Sequence, residues 1–142
     1  MITTSYFAMA KYIKNPLSIS NMTPAWYKGN ALKMLAPPFQ LIEMFKSGYI
    51  SEKDFTIDFK EQVLAPLNPK DVYSYIVDKF GDDATLLCYE KSGDFCHRRL
   101  VAQWFEKGLG FKVPELVIDG DLKKLYKDVK AAKAQALKEV TC

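Results

Sequence analysis

Ala84-Thr85-Leu86-Leu87-Cys88-Tyr89 is a short, unbroken apolar run with turn-forming residues on both sides, Gly81-Asp82-Asp83 before it and Lys91-Ser92-Gly93-Asp94 after it. A strand with one wet face alternates apolar and polar residues. A short run that does not alternate reads as a strand covered on both faces, the habit of parallel sheets.

The remaining pattern fits strands separated by helices. Ile2–Phe7 predicts a first strand, and Ala8–Asn15 a connection or short helix. Leu17-Ser18-Ile19-Ser20 alternates and predicts a second strand, followed by a loop over Asn21–Asn30 with Pro24 and Gly29 as breakers. Pro38 opens a helix that Gly48 closes, with Phe39, Leu41, Ile42 and Phe45 along it. Ser51 and Asp54 have capping-box spacing ahead of a helix to Ala65, and Asn68-Pro69 starts another that ends at Gly81. Cys96–Leu109 predicts a further helix, and Pro114–Ile118 an edge strand or extended segment. Residues 121–138 predict one amphipathic helix, docked through Leu122, Leu125, Tyr126 and Val129. The expected fold is therefore a single α/β domain over residues 1–142, with a small, mostly parallel sheet flanked by helices in a Rossmann-like, three-layer arrangement.

Size and composition agree with this. A chain of 142 residues with 49% hydrophobic and 13% aromatic residues can bury a core without disulfides or a structural metal. No apolar run reaches membrane-spanning length, so no membrane partner is expected. The opening Met1–Tyr6 lacks a secretory leader's basic and apolar regions, which predicts a cytoplasmic protein. Three cysteines, Cys88, Cys96 and Cys142, argue against a disulfide framework and for reduced thiols. The net charge of +3 resides in the lysine-rich stretch 121–142, either a solvated helix face or a phosphate-attracting one.

Reactive side chains are densest from Cys88 to Arg99, spanning a buried strand's end, a loop and a helix start. That edge of an open α/β sheet is where ligands bind, and a helix N-terminus favours anions. Arg98 and Arg99 offer guanidinium forks suited to phosphate. Glu90 at the strand end is the candidate carboxylate. Cys96 at the helix start is a candidate nucleophile, and His97, the chain's one histidine, a candidate acid or base. Plainer roles compete: Cys88 as a small core residue, Asp94 as the helix N-cap, His97 bonding a loop carbonyl. Adjacent helix residues diverge, which argues against a Cys96–His97 pair. A second cluster after the second strand contains Asn21, Trp26, Tyr27 and Lys28. It could stack a base and pair a phosphate, or Trp26 could pack as a lid. Tyr6, at the end of the first strand, joins the substrate-binding candidates.

Familiar sites are absent from the sequence. There is no P-loop, no Gly-x-Gly-x-x-Gly before a helix, and no zincin motif. Neither cysteine is followed by the Cys-x5-Arg of cysteine phosphatases. Cys88, Cys96 and His97 would be an odd zinc set without Cys-x-x-Cys spacing. Neither a metal nor another cofactor is expected.

Leu86-Leu87-Cys88-Tyr89-Glu90-Lys91, followed by Cys96-His97-Arg98, resembles the hallmark of the bacterial and phage "domain of unknown function 488" family, an apolar strand ending in Cys-x-Glu and then Cys-His-Arg opening a helix. Thr4–Phe7, Leu17–Ser20, Pro24–Tyr27 and Leu35–Pro37 are similar to one of its branches. Many relatives have Asp-x-Arg at the end of the second strand, where this chain reads Ser18-Ile19-Ser20-Asn21. The resemblance implies an α/β fold and a functional edge with Glu90, Cys96, His97 and Arg98, and it implies no particular activity.

Three functions compete on these residues. The first is an enzyme performing hydrolysis or group transfer, such as N-glycosidic cleavage, on a nucleotide or nucleic-acid-derived substrate. The second is a non-catalytic module binding a phosphate-bearing small molecule or nucleic acid. The third is a protein–protein adaptor using the C-terminal helix. The sequence predicts one pocket containing Glu90, His97, Arg98, Trp26 and Lys28.

Overall fold

The computed structural model describes residues 1–118 and 120–141, with the last helix described by backbone alone at 122, 125, 126, 133 and 135–141. Four strands form one sheet: β1 (Thr3–Tyr6), β2 (Pro16–Ser18), β3 (Asn30–Ala31) and β4 (Thr85–Cys88). Their order is β1-β4-β2-β3, and every pairing is parallel. The apolar run is thus an interior strand, and its four residues are all buried. Cys88 sits at its carboxyl end opposite Tyr6 and is buried as predicted.

Successive strand residues face opposite sides of a sheet. Leu86 accordingly joins the larger core with Phe59, Ile76, Val101 and Phe105. Leu87 joins a smaller cluster with Phe7, Met9 and Ile13. Four helices, α1 (Phe39–Lys46), α2 (Glu52–Phe59), α3 (Pro69–Phe80) and α4 (His97–Leu109), supply the larger core. A 3-10 turn over Phe7–Tyr12 helps to cover the other face.

The local signals have the expected causes. Ser51 and Asp54 close a capping box ahead of α2, which widens into a π turn at Lys60–Leu64. The Asn68 side chain accepts hydrogen bonds from the Lys70 and Asp71 amides, and Pro69 takes the first position of α3. At the end of the predicted loop, Asn30 joins Ala31 beyond it in the short edge strand β3, which the polar loop composition conceals. Pro114–Ile118 is extended, with a single bridge from Glu115 to Thr4 on β1.

The C-terminal helix, α5, spans Gly120–Thr141. Lys123 Nζ lies 5.8 Å from the Tyr12 ring centroid. Val129, predicted to dock, is exposed instead. The side chains of Leu122, Leu125 and Tyr126 lie outside the described residues. Among the described residues, no helix is long and apolar enough to cross a membrane.

Candidate functional site

At the carboxyl edge of the sheet, the segments leaving β2 and β4 meet the start of α4 around a cavity of about 280 Å³. Ser20, Asn21 and Met22 follow β2 into its wall, and Cys88, Tyr89 and Glu90 come from β4. Cys96 and His97 arrive from α4, and Phe39, Ile42, Phe45 and Lys46 from α1. Phe55 and Phe95 complete an aromatic side: Phe45 stacks its edge against Phe95 at 5.4 Å, and Phe55 does so at 5.6 Å. The pocket therefore combines aromatic faces with a few polar groups, as small-molecule sites do.

Of the predicted residues, Glu90, Cys96, His97 and Asn21 line this pocket. Asn21 is steadied by a hydrogen bond from its side-chain amide to the Pro37 carbonyl at 3.4 Å. Glu90 is exposed at the mouth. His97 is buried, and its Nε2 lies 2.7 Å from the Ile19 carbonyl oxygen. A carbonyl only accepts, so Nε2 carries the proton and Nδ1 presents a lone pair. Burial pushes the imidazole down to about 4, against the opposing effect of the Ile19 carbonyl, and the Arg98 charge lowers it further. His97 is thus a neutral, fixed ring, and the carbonyl-bonding role is the one it takes.

Cys96 and His97 do meet: Sγ and Nδ1 are 4.0 Å apart. The rule for adjacent helix residues does not apply here. Cys96 is the N-cap of α4, with extended backbone at φ −153° and ψ 143°, so it lies outside the helix. The loop from 89 to 95 also returns Cys96 to Cys88, and their sulfurs are in bonding contact. This replaces the expected pair of separate thiols. Nothing in an eight-residue spacing shows that the loop doubles back on itself. Asp94 is exposed, in a turn closed by its amide to the Lys91 carbonyl at 3.1 Å, and does not cap α4.

The arginines are used internally. Arg98 is fully buried and outside the pocket lining. Its Nε and Nη2 donate to the two carboxylate oxygens of Glu115 at 3.0 and 2.7 Å. Its Nη1 donates to the Glu90 carbonyl at 2.6 Å and to Cys88 Sγ at 3.1 Å. Arg98 thus braces the pocket wall from behind, where the sequence predicts an anion ligand. A buried guanidinium needs such a partner, and the one it finds lies 17 residues on, in a segment the sequence marks only as extended. For Glu115, burial raises the carboxyl, but bonds from Arg98, Thr4 and Ser92, with the Arg98 charge, outweigh it and hold the group at about 2. Arg99 donates to Thr4 Oγ1 at 2.9 Å and the Val113 carbonyl at 3.0 Å. Tyr6 lies beneath the Arg98 guanidinium at 5.9 Å.

Trp26, Tyr27 and Lys28 are also outside the lining. A turn closed by the Tyr27 amide to the Pro24 carbonyl redirects the loop, and the Tyr27 ring packs edge-on against Phe7, in the smaller cluster. Trp26 and Lys28 are exposed. Among the described residues, the cationic side chain lining the pocket is Lys46, at the end of α1. No local motif distinguishes Lys46. Only the placement of α1 against the sheet edge brings it to the site.

These features define a small parallel α/β protein with a ligand-sized pocket at the carboxyl end of its sheet. The chain belongs to the DUF488 family, for the model of the active DUF488-N3 subclade matches residues 9–109. That span includes all the residues that line the pocket and stops short of Glu115. No curated protein and no solved structure matches the chain.

Proposed function

We propose that this chain is an enzyme acting on a nucleotide or nucleic-acid-derived substrate by hydrolysis or group transfer, with N-glycosidic cleavage the reaction its residues suit best. The observation that carries this is the convergence of Glu90, Asn21 and Lys46 on an aromatic-walled pocket at the carboxyl edge of a parallel sheet. Ligands of Rossmann-like folds bind at that edge, which is the sense in which the Rossmann-like description belongs here. The description of the subclade as active also supports the reading.

A heterocyclic base stacks on Phe45, Phe55 or Phe95, Asn21 hydrogen-bonds its edge, and Lys46 pairs a phosphate. Glu90 supports the positive charge that develops on the sugar as the bond to the base breaks and its electron pair leaves with the base nitrogen. In hydrolysis, a water molecule adds to the sugar carbon, and Glu90 takes its proton. His97, neutral and tethered to Ile19, positions the α4 start and is not the proton shuttle. We place this work in the reducing cytoplasm.

The test is turnover of nucleosides, nucleoside monophosphates and short oligonucleotides, read as released base, beside equilibrium binding of the same compounds. Glu90→Gln should cut turnover by about 100-fold or more, within the range for a lost acid–base group, and leave binding within a few-fold. Binding without turnover in the unmodified chain, or a Glu90→Gln variant that turns over normally, makes the protein a binding module or moves the chemistry elsewhere.

A further inference from the structure

We propose that Cys88, Cys96 and His97 hold a zinc ion whose fourth coordination position opens on the pocket. One ligand atom from each residue, two sulfurs and a ring nitrogen, lies within 4.8 Å of the others, and all three side chains are buried. All three also line the pocket, so an ion among them faces the space a substrate or water would occupy.

Three features favour an ion over a simple disulfide. The Cα atoms of Cys88 and Cys96 are 7.2 Å apart, wider than the roughly 4.4–6.8 Å that most disulfides span. Two thiolates on one tetrahedral zinc, each at about 2.3 Å, stand about 3.8 Å apart, which suits the wider backbone. The bond from His97 Nε2 to the Ile19 carbonyl leaves Nδ1 with the free lone pair on the side of Cys96. A carbonyl on the far nitrogen is how zinc-binding histidines are oriented. Finally, Arg98 Nη1 donates to Cys88 Sγ, which offsets the negative charge of a thiolate there. Two thiolates, one imidazole and an open position make a donor set of the kind found in catalytic zinc sites.

Binding requires the reduced pair. A phosphine supplies two electrons to open the sulfur–sulfur bond and becomes its oxide, while a water molecule supplies that oxygen and both thiol protons; zinc then displaces the two thiol protons. The proposal does not depend on the identity of the substrate, because occupancy is read without turnover.

The experiment uses the full chain, reduced with a phosphine under argon and stripped of metal, then titrated with cobalt(II) and zinc(II). The expected result is about one equivalent bound, with a thiolate-to-cobalt charge-transfer band and the ligand-field bands of tetrahedral cobalt, all bleached by zinc. Cys88→Ser and Cys96→Ser should each weaken binding at least tenfold, and Cys142→Ser should not change it. If the serine variants fail to fold, the unmodified chain still decides. Zinc should protect Cys88 and Cys96, but not Cys142, from alkylation read by mass spectrometry. Substoichiometric cobalt without a charge-transfer band, or equal alkylation of all three cysteines with and without zinc, overturns the site.

Discussion

Arg98 and Glu115 form a two-pronged ion pair, at 3.0 and 2.7 Å, that ties the first turn of α4 to the extended segment beside β1. The remaining donor of Arg98 reaches Cys88 and the Glu90 carbonyl. One buried side chain therefore sets the positions of the β4 end, the pocket rim and the C-terminal segment together. Removing its counter-charge leaves a buried guanidinium with only neutral partners and a sulfur. Glu115→Ala should lose about 3 kcal/mol or more of unfolding free energy, as when one partner of a buried pair is deleted. Urea titration checks this, and a loss below about 1 kcal/mol would mean that the pair is not integral to the fold.

The same pair gives an acid limb to stability. The Glu115 carboxyl titrates at about 2 in the fold, below its ordinary value of 4.5. The unfolded chain thus takes up the proton first as pH falls. The stabilisation is fully present above about 4.5 and is lost as pH drops toward 2. The difference in unfolding free energy between the native chain and Glu115→Gln should be constant from pH 7 to 5 and shrink steadily below. A difference that does not vary with pH contradicts the assignment.

Much of this architecture was legible in the sequence because its signals are local. The unalternating run 84–89 located the interior strand, the Asn68-Pro69 and Ser51–Asp54 pairs located helix starts, and Cys-x-Glu with Cys-His-Arg located the sheet edge where the pocket lies. What escaped depends on the return path of the chain. Glu115 is found only when the extended segment comes back beside β1, and Lys46 only when α1 packs over the sheet edge. Trp26 and Lys28 follow β2 in sequence, but the turn at Pro24 and the packing of Tyr27 on Phe7 direct that loop away from the pocket.

Helices α3 and α4 approach closely at Gly108. A Cβ built there collides with the Pro69 ring, which has little freedom to move. Gly108→Ala should therefore destabilise by about 1–3 kcal/mol, the usual cost of overpacking, despite the better helix propensity of alanine. Thermal unfolding of the variant tests this, and an unchanged or raised midpoint would show that the helices part easily.

Lys46 should matter to the phosphate and not to the base. On the proposed reading, its exposed ammonium at the pocket would contribute an ionic contact of up to about 1 kcal/mol, or about 5-fold in affinity. Lys46→Ala should weaken a nucleoside monophosphate by up to about that factor and leave the parent nucleoside unchanged. Calorimetry of both ligands reads the contrast, and an equal effect on the two would remove Lys46 from phosphate binding.

On the proposed function, ligands enter the pocket between the ends of β2 and β4 and the start of α4. Amide chemical-shift mapping during titration of the reduced protein with purine and pyrimidine nucleoside monophosphates tests it most directly. Saturable shifts should concentrate at Asn21, Lys46, Glu90, Cys96 and His97, with Trp26 and Lys28 unmoved. Shifts centred on residues 26–28, or none with any nucleotide, would contradict it.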